Sequence, residues 1–172
     1  MKAPALILTA LALFTTSLVQ AQKFAYVDTE AILEKIPEYK QAQDELDALS
    51  VKWQQEIETL YAEIDQLYKK YQSEQVLLTE DMRRERENAI IEKEKAAKAL
   101  QRQRFGPQGD LFSKRQELVK PIQDQVFNAV QQLASEGGYA VIFDKSSDLI
   151  MLFTDPKYDK SDDILDRLGY NY

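Results

Sequence analysis

Ten apolar residues at helical intervals dominate the first half of this chain: Tyr39, Ala42, Leu46, Leu49, Trp53, Ile57, Leu60, Ile64, Leu67 and Tyr71. The intervals alternate between three and four residues, with one extra step of four between Trp53 and Ile57. Such alternation is a heptad seam, and the extra step is a stutter that locally unwinds a left-handed supercoil. The stretch contains neither Gly nor Pro and is rich in Gln, Glu, Asp and Lys. The spacing predicts one continuous helix of about 33 residues, roughly 50 Å long at about 1.5 Å per residue. A helix of an ordinary bundle would be shorter.

The polar run Gln72-Ser73-Glu74-Gln75 predicts the end of this rod. Thr79 is placed to cap a second helix, with Glu80 and Asp81 favourably set against its N-terminal dipole. That helix is expected to reach about Phe105, supported by Glu80–Arg84 and Glu94–Lys98 pairs in the favourable i,i+4 order. Gly106-Pro107-Gln108-Gly109 interrupts it, because Pro lacks a backbone donor and glycine weakens a helix. Helical spacing resumes through Leu111, Arg115, Leu118, Ile122, Val126, Val130 and Leu133, and it ends at Gly137-Gly138, a C-cap signal.

Folding the two rods back as an unstaggered antiparallel pair sets Trp53 against Leu100 and the small residues Ala96, Ala97 and Ala99. A large ring opposite alanines suits close helix packing. The same count sets the Gly-Pro break opposite Asp44–Asp47, near the root of the hairpin. There a small change of angle moves the tip a long way. Gly106, Pro107 and Gly109 are therefore candidate hinge residues, with a static kink as the alternative.

The two ends of the chain read differently. Phe24-Ala25-Tyr26-Val27 is a predicted strand, followed by a cap at Asp28 or Thr29. Residues 139–144 and 149–153 are two β-rich apolar runs joined by Lys145-Ser146-Ser147-Asp148, a predicted hairpin. Their lack of polar alternation predicts burial on both faces. Ser161 is expected to cap a last short helix, with Gly169 after it. Three strands are too few to bury such faces alone, so packing by the helix at 111–133 and association with other copies are both expected.

Composition narrows the chemistry. The chain has no Cys and no His, and its five glycines form no phosphate-binding pattern. Thiolate nucleophiles, His-based catalytic pairs and the commonest transition-metal ligand are therefore excluded. No catalytic, cofactor-binding or metal-binding residue is predicted, and the chain is not expected to be an enzyme. An enzyme using carboxylates alone would need two acids converging in a cleft. The first 21 residues read as an export signal, with a positive start, an apolar run from Ala5 to Phe14, and Val19 and Ala21 before cleavage near Gln22. An apolar run of roughly ten residues is short for the roughly twenty that a bilayer requires. The mature protein is expected to be soluble outside the cytoplasm. Removing Lys2 with the signal leaves 21 basic against 29 acidic residues, a net charge of −8 instead of −7, and argues against nucleic acid as a partner.

Taken in order, Phe24-Ala25-Tyr26-Val27-Asp28 with Ile32-Leu33 and Pro37, Leu118-Val119-Lys120-Pro121-Ile122, and Gly138-Tyr139 through Asp144-Lys145 resemble the Skp/OmpH family of periplasmic chaperones. Asp155-Pro156-Lys157-Tyr158-Asp159 and Asp162-Asp163-Ile164-Leu165 extend the resemblance, which spans essentially all of the mature chain. It implies an α+β fold: a small β-rich trimerisation body with a long antiparallel coiled-coil hairpin. The expected division is a signal peptide at 1–21, a body from 22–38 and 115–172, and an arm at 39–114 with its tip near 72–79. It also implies a homotrimeric, ATP-independent periplasmic holdase whose partners are unfolded outer-membrane proteins, held in a cavity between the arms. Lipid contact is known in the family, but its best-known members are basic and this chain is acidic. No lipid-site residue is carried over. The alternative reading is a structural coiled-coil spacer or adaptor of the cell envelope.

Val76, Leu77 and Leu78 at the tip are candidate client contacts, because three consecutive apolar residues cannot all face one seam. Tyr61, Tyr68 and Tyr71 are either hairpin core or client contacts. Arg83, Arg84, Arg86, Lys93, Lys95, Lys98, Arg102 and Arg104 read as a solvated face offset by neighbouring glutamates, with a positive client lining as the alternative. Asp28, Asp144 and Asp155 are assigned cap and turn duty.

Overall fold

The computed structural model describes residues 22–170. The export signal predicted at 1–21 lies outside the described residues. Strand β1 (Lys23–Val27) leads into the short helix α1 (Thr29–Lys35). Asp28 caps α1 by accepting a bond from the Ala31 amide at 3.0 Å. Ile36 then separates α1 from α2 (Pro37–Glu74), whose first position is a proline that needs no donor there.

Helix α2 has 38 residues, about 57 Å at the usual rise. None of the ten seam residues is exposed, and Ala42, Leu46, Trp53, Ile57 and Ile64 are fully buried. The rod runs three residues beyond the predicted end. The run Gln72–Glu74 is polar but contains no helix breaker, and Ser73 donates to the Lys70 carbonyl at 2.8 Å without leaving the helix. A 3-10 turn at Gln75–Leu77 reverses the chain. Helix α3 (Glu80–Phe105) starts at Thr79, whose hydroxyl accepts from the Met82 amide as predicted. It packs back along α2.

Beyond the Gly-Pro break come α4 (Asp110–Leu118) and α5 (Lys120–Gly137). The sequence spacing predicts one helix here. The observed division at Val119 has a local cause, since Pro121 cannot donate to a carbonyl one turn earlier. Helix α5 ends at Gly138 in the left-handed conformation (φ 65°), which a side chain would disfavour.

Helix α5 delivers β2 (Tyr139–Asp144) alongside β1. The two strands are parallel, pairing Phe24 with Val141, Ala25 with Ile142, Tyr26 with Phe143 and Val27 with Asp144. The predicted hairpin of 139–144 with 149–153 is not formed. The helical crossover places β2 beside the first strand of the chain, as parallel pairing requires, and 149–153 forms no strand. Burial on both faces is not observed either: Phe24, Val141 and Phe143 stay exposed on one face. The last helix, α6 (Ser161–Arg167), starts at Ser161. Its hydroxyl does not cap α6 but accepts from the Asp28 amide at 2.9 Å and donates to Asp159 at 2.6 Å, tying α6 to the end of β1.

The main core lies between the sheet, α1, α5 and α6, and contains Val27, Ile32, Leu33, Ile36, Val126, Ala129, Leu133, Ile164 and Leu165. Ile32 and Ile164 are completely buried, each contributing about 1.5–3 kcal/mol by apolar transfer. A second cluster joins α2 to the region around the Pro121 kink through Ala42, Leu46 and Val119. A third lies within the hairpin and comprises Ile64, Ile90 and Ala97.

Candidate functional site

Three regions carry the residues singled out by the sequence, and the structure keeps them apart. At the tip, Val76 and Leu77 are 79% and 83% exposed, while Leu78 is half-buried. The 3-10 turn leaves Val76 and Leu77 outside the seam and in solvent, and Met82 in the first turn of α3 is exposed as well. Arg83 stiffens the turn by donating from Nε to the Gln75 carbonyl at 2.9 Å.

Half of the eight basic residues named on α3 are ion-paired, Arg104 among them. Arg84 meets Glu80 at 3.4 Å, Lys93 meets Glu63 at 2.9 Å, and Lys95 meets Glu92 at 2.8 Å. The predicted Glu94–Lys98 pair is absent, because Glu94 instead accepts from the Tyr68 hydroxyl at 3.1 Å. Tyr71 likewise donates to Glu87. Both phenols are held above their ordinary pKa by these hydrogen bonds to carboxylates.

At the Gly-Pro break, the sequence reading needs correction. Trp53 does not face Leu100 and its alanine neighbours. Its ring meets Phe105 edge-on, with centroids 6.4 Å apart, and lies under the Arg104 guanidinium. The arms are staggered by roughly one helical turn, as the contacts of Tyr71 with Glu87, Glu63 with Lys93 and Trp53 with Phe105 show. Ala97 is fully buried, as close packing demands, but within the cluster of Ile64 and Ile90. The break lies between the levels of Trp53 and Leu46, not opposite Asp44–Asp47. Arg104 bonds Asp110 at 2.6 Å across the break and Glu56 of α2 at 3.3 Å. The Asp110 bond chiefly raises the already high Arg104 pKa, and the side chain is a permanent cation. A methyl group on Gly106 would lie 2.3 Å from the Arg102 carbonyl oxygen, and one on Gly109 would lie 2.5 Å from that of Gln103. Both glycines are required by the fold of the break.

The third region, at the sheet, was least legible in the sequence. Among the described residues β2 pairs only with β1, so its far edge carries unpaired backbone groups. The outer side of β1 is partly covered by Asp159 and by the Lys160 amide, which donates to the Tyr26 carbonyl at 2.9 Å. Past the end of β2, Ile150, Leu152 and Phe153 are 85%, 95% and 85% exposed, and Phe153 lines an open groove with Phe24 and Phe143. Asp28, Asp144 and Asp155 do the cap and turn work assigned to them. Asp144 accepts from the Thr29 amide and hydroxyl and from Ser146, and Asp155 accepts from the Lys157 amide. Burial pushes the Asp144 pKa upward, but the bonds from Thr29 and Ser146 outweigh it and hold it below the usual value.

A hairpin arm on a parallel two-stranded sheet, with its helices in this order, can be compared with known proteins. Residues 23–168 match the family described as outer membrane protein (OmpH-like). The chain belongs to the OmpH-like family. A solved crystal structure of an OmpH-like protein from Caulobacter crescentus CB15, assigned as an outer membrane chaperone, has the same fold with a TM-score of 0.68. That likeness covers 89% of this chain and 87% of the other at 13% sequence identity. No curated protein matches the sequence. Membership of this family supports a chaperone role in general. Among the described residues no helix is long and apolar enough to cross a membrane.

Proposed function

We propose that this protein is an ATP-independent holdase of the periplasm that shelters unfolded outer-membrane proteins between the helical arms of a homotrimer. The observation that carries the reading is the apolar surface left open by the single chain at the sheet. Phe24 and Phe143 on one sheet face line an open groove with Met151 and Phe153, and Val141, Ile150 and Leu152 are exposed as well, apolar surface of the kind that marks an interaction site. The unpaired edge of β2 lies in the same place. Self-association through this end relieves both and sets several arms side by side.

In this reading residues 22–38 and 115–172 form the trimerisation body. Residues 39–114 form the arm, with its tip near 72–79, and 1–21 are an export signal removed near Ala21/Gln22. Val76, Leu77 and Leu78 contact clients at the tip. Gly106, Pro107 and Gly109 act as a hinge whose swing is limited by the Arg104–Asp110 bridge. Lipid contact is no part of this reading, because the mature net charge of −8 repels acidic head groups. The test is an aggregation assay: a urea-unfolded outer-membrane β-barrel protein is diluted with or without the full-length protein, without nucleotide. Suppression of light scattering at stoichiometric trimer is expected. Unchanged scattering would leave the envelope-spacer reading.

A further inference from the structure

The two flanks of the helical hairpin differ in chemistry. In α2, Tyr61 and Tyr68 stand seven residues apart, and so do Glu56 and Glu63. Seven residues are two turns, so each pair occupies one face. The buried row of Ile57 and Ile64 runs between the two pairs. Bonds across the hairpin identify which side of α3 each face meets. Tyr68 and Tyr71 donate to Glu94 and Glu87, whereas Glu63 and Glu56 pair with Lys93 and Arg104. Ile91, 44% exposed, lies four residues after Glu87 and three before Glu94, on their side of α3. One flank carries aromatic rings and an isoleucine beside the local pairs Asp65–Lys69 and Glu80–Arg84, and the other carries the ion pairs that join the two helices.

We propose that unfolded polypeptide is held along the flank formed by Tyr61, Tyr68 and Ile91, with the ion-paired flank turned away from it. The inference rests on the chaperone reading above and names the surface that does the holding. Tyr61 and Tyr68 are 38% and 40% exposed, and tyrosine offers a large amphipathic contact area with few rotatable bonds. The bond to Glu94 already fixes the Tyr68 ring, which lowers the entropy lost on contact. The apolar groups are scattered among carboxylates and form no second heptad seam, so a helix from another copy finds no row of holes to fill. An extended segment with apolar and basic side chains can adapt to both rings and carboxylates. Beyond the end of the flank, Val76 and Leu77 stay exposed at the tip.

The test places a benzophenone cross-linking residue at position 91 or at position 93 of the full-length protein, two neighbours on opposite flanks. Each variant is mixed with a urea-unfolded outer-membrane β-barrel protein and irradiated. Several-fold more client adduct from position 91 than from 93 is expected. Equal yields, an excess from 93, or adducts from 91 that join two copies of the chaperone overturn the assignment. In parallel, Tyr61→Ser/Tyr68→Ser is expected to weaken client binding on the order of tenfold. Tyr61→Phe/Tyr68→Phe, which keeps the rings, and Glu56→Gln/Glu63→Gln, on the other flank, are expected to stay within about twofold. Wild-type affinity in the folded serine variant, checked by circular dichroism, also overturns it. If neither cross-linker variant gives an adduct and the wild-type protein leaves the client to aggregate, the chaperone reading itself fails, and this inference with it.

Discussion

Arg104 lies over Trp53, with the guanidinium carbon 5.0 Å from the ring centroid. The same guanidinium bonds Asp110 and Glu56, so one side chain joins three helices where the returning arm is interrupted. Its Nε is buried and has no acceptor among the described residues. The stacked cation and the T-shaped Phe105 enclose an indole that is only 8% exposed.

Removing the indole should therefore be costly. Trp53→Ala is expected to lose about 3 kcal/mol or more, the usual cost of emptying an aromatic core site. It also strips the platform from under Arg104. Thermal unfolding followed at 222 nm checks this, and an unchanged midpoint would mean that the joint contributes nothing to stability. Arg104→Lys should recover little, because lysine cannot bond Asp110 and Glu56 with one planar fork.

The proposed hinge gives a second test. Gly109→Ala should destabilise the protein, since the added methyl meets the fixed backbone oxygen of Gln103 at 2.5 Å. Replacing 106–109 with the helix-forming Ala-Glu-Gln-Ala should narrow the distribution of tip-to-body distances measured between spin labels. It should also narrow the range of client sizes held. Distributions identical to wild type would make the break a static kink.

Assembly can be separated from folding by two substitutions. Leu152 is 95% exposed, so Leu152→Asp should leave the helical signal intact and dissociate the proposed trimer in sedimentation equilibrium. Ile142 packs against the main core, so Ile142→Asp should unfold that end by burying an unpaired charge. A Leu152→Asp protein that sediments like the wild type would remove this residue from the interface.

Asp144 sets an acid limit. Its folded pKa lies below the ordinary 3.8 because Thr29 and Ser146 bond the carboxylate against the opposing effect of burial. A depressed carboxyl pKa adds stability that is complete above about pH 5 and falls away as pH drops through the folded value. Asp144→Asn should therefore lower stability at pH 7 and flatten the dependence of stability on pH below about 4. If the variant and the wild type lose stability in parallel between pH 5 and 3, Asp144 is not the group responsible.

The long-range pattern of the hairpin was legible because it rests on local chemistry. A seam without Gly or Pro fixes a rod, and Thr79 fixes where the next one starts. What escaped were relationships that depend on stagger or on distant partners. The count that paired Trp53 with Leu100 assumed arms without stagger, and a one-turn offset brought in Phe105 and Arg104 instead. A sign of this was present, because Arg83, Ile90, Ala97 and Arg104 are spaced by sevens and so share the inner face of α3. The strand partners were misassigned for a different reason. Two neighbouring apolar runs look like a hairpin, and nothing local reveals that β2 prefers β1 across the whole arm. At the candidate sites, exposure of Val76 and Leu77 followed from three consecutive apolar residues, whereas the difference between the flanks appeared only once the arms were in register.

The parallel pairing of β1 with β2 also sets an order of events in folding. Thr29 and Asp144, which close the end of the sheet, are 115 positions apart, so the first strand emerges from synthesis long before its partner exists. Helices form in about a microsecond from neighbours in the chain, while closure of a long flexible loop carries an entropic cost that grows with its length. Once α2 and α3 zip together, that long loop becomes a short rigid one, with both ends returned to the same place. Besides being the projecting limb of the molecule, the arm is the means by which the two termini of the fold find each other.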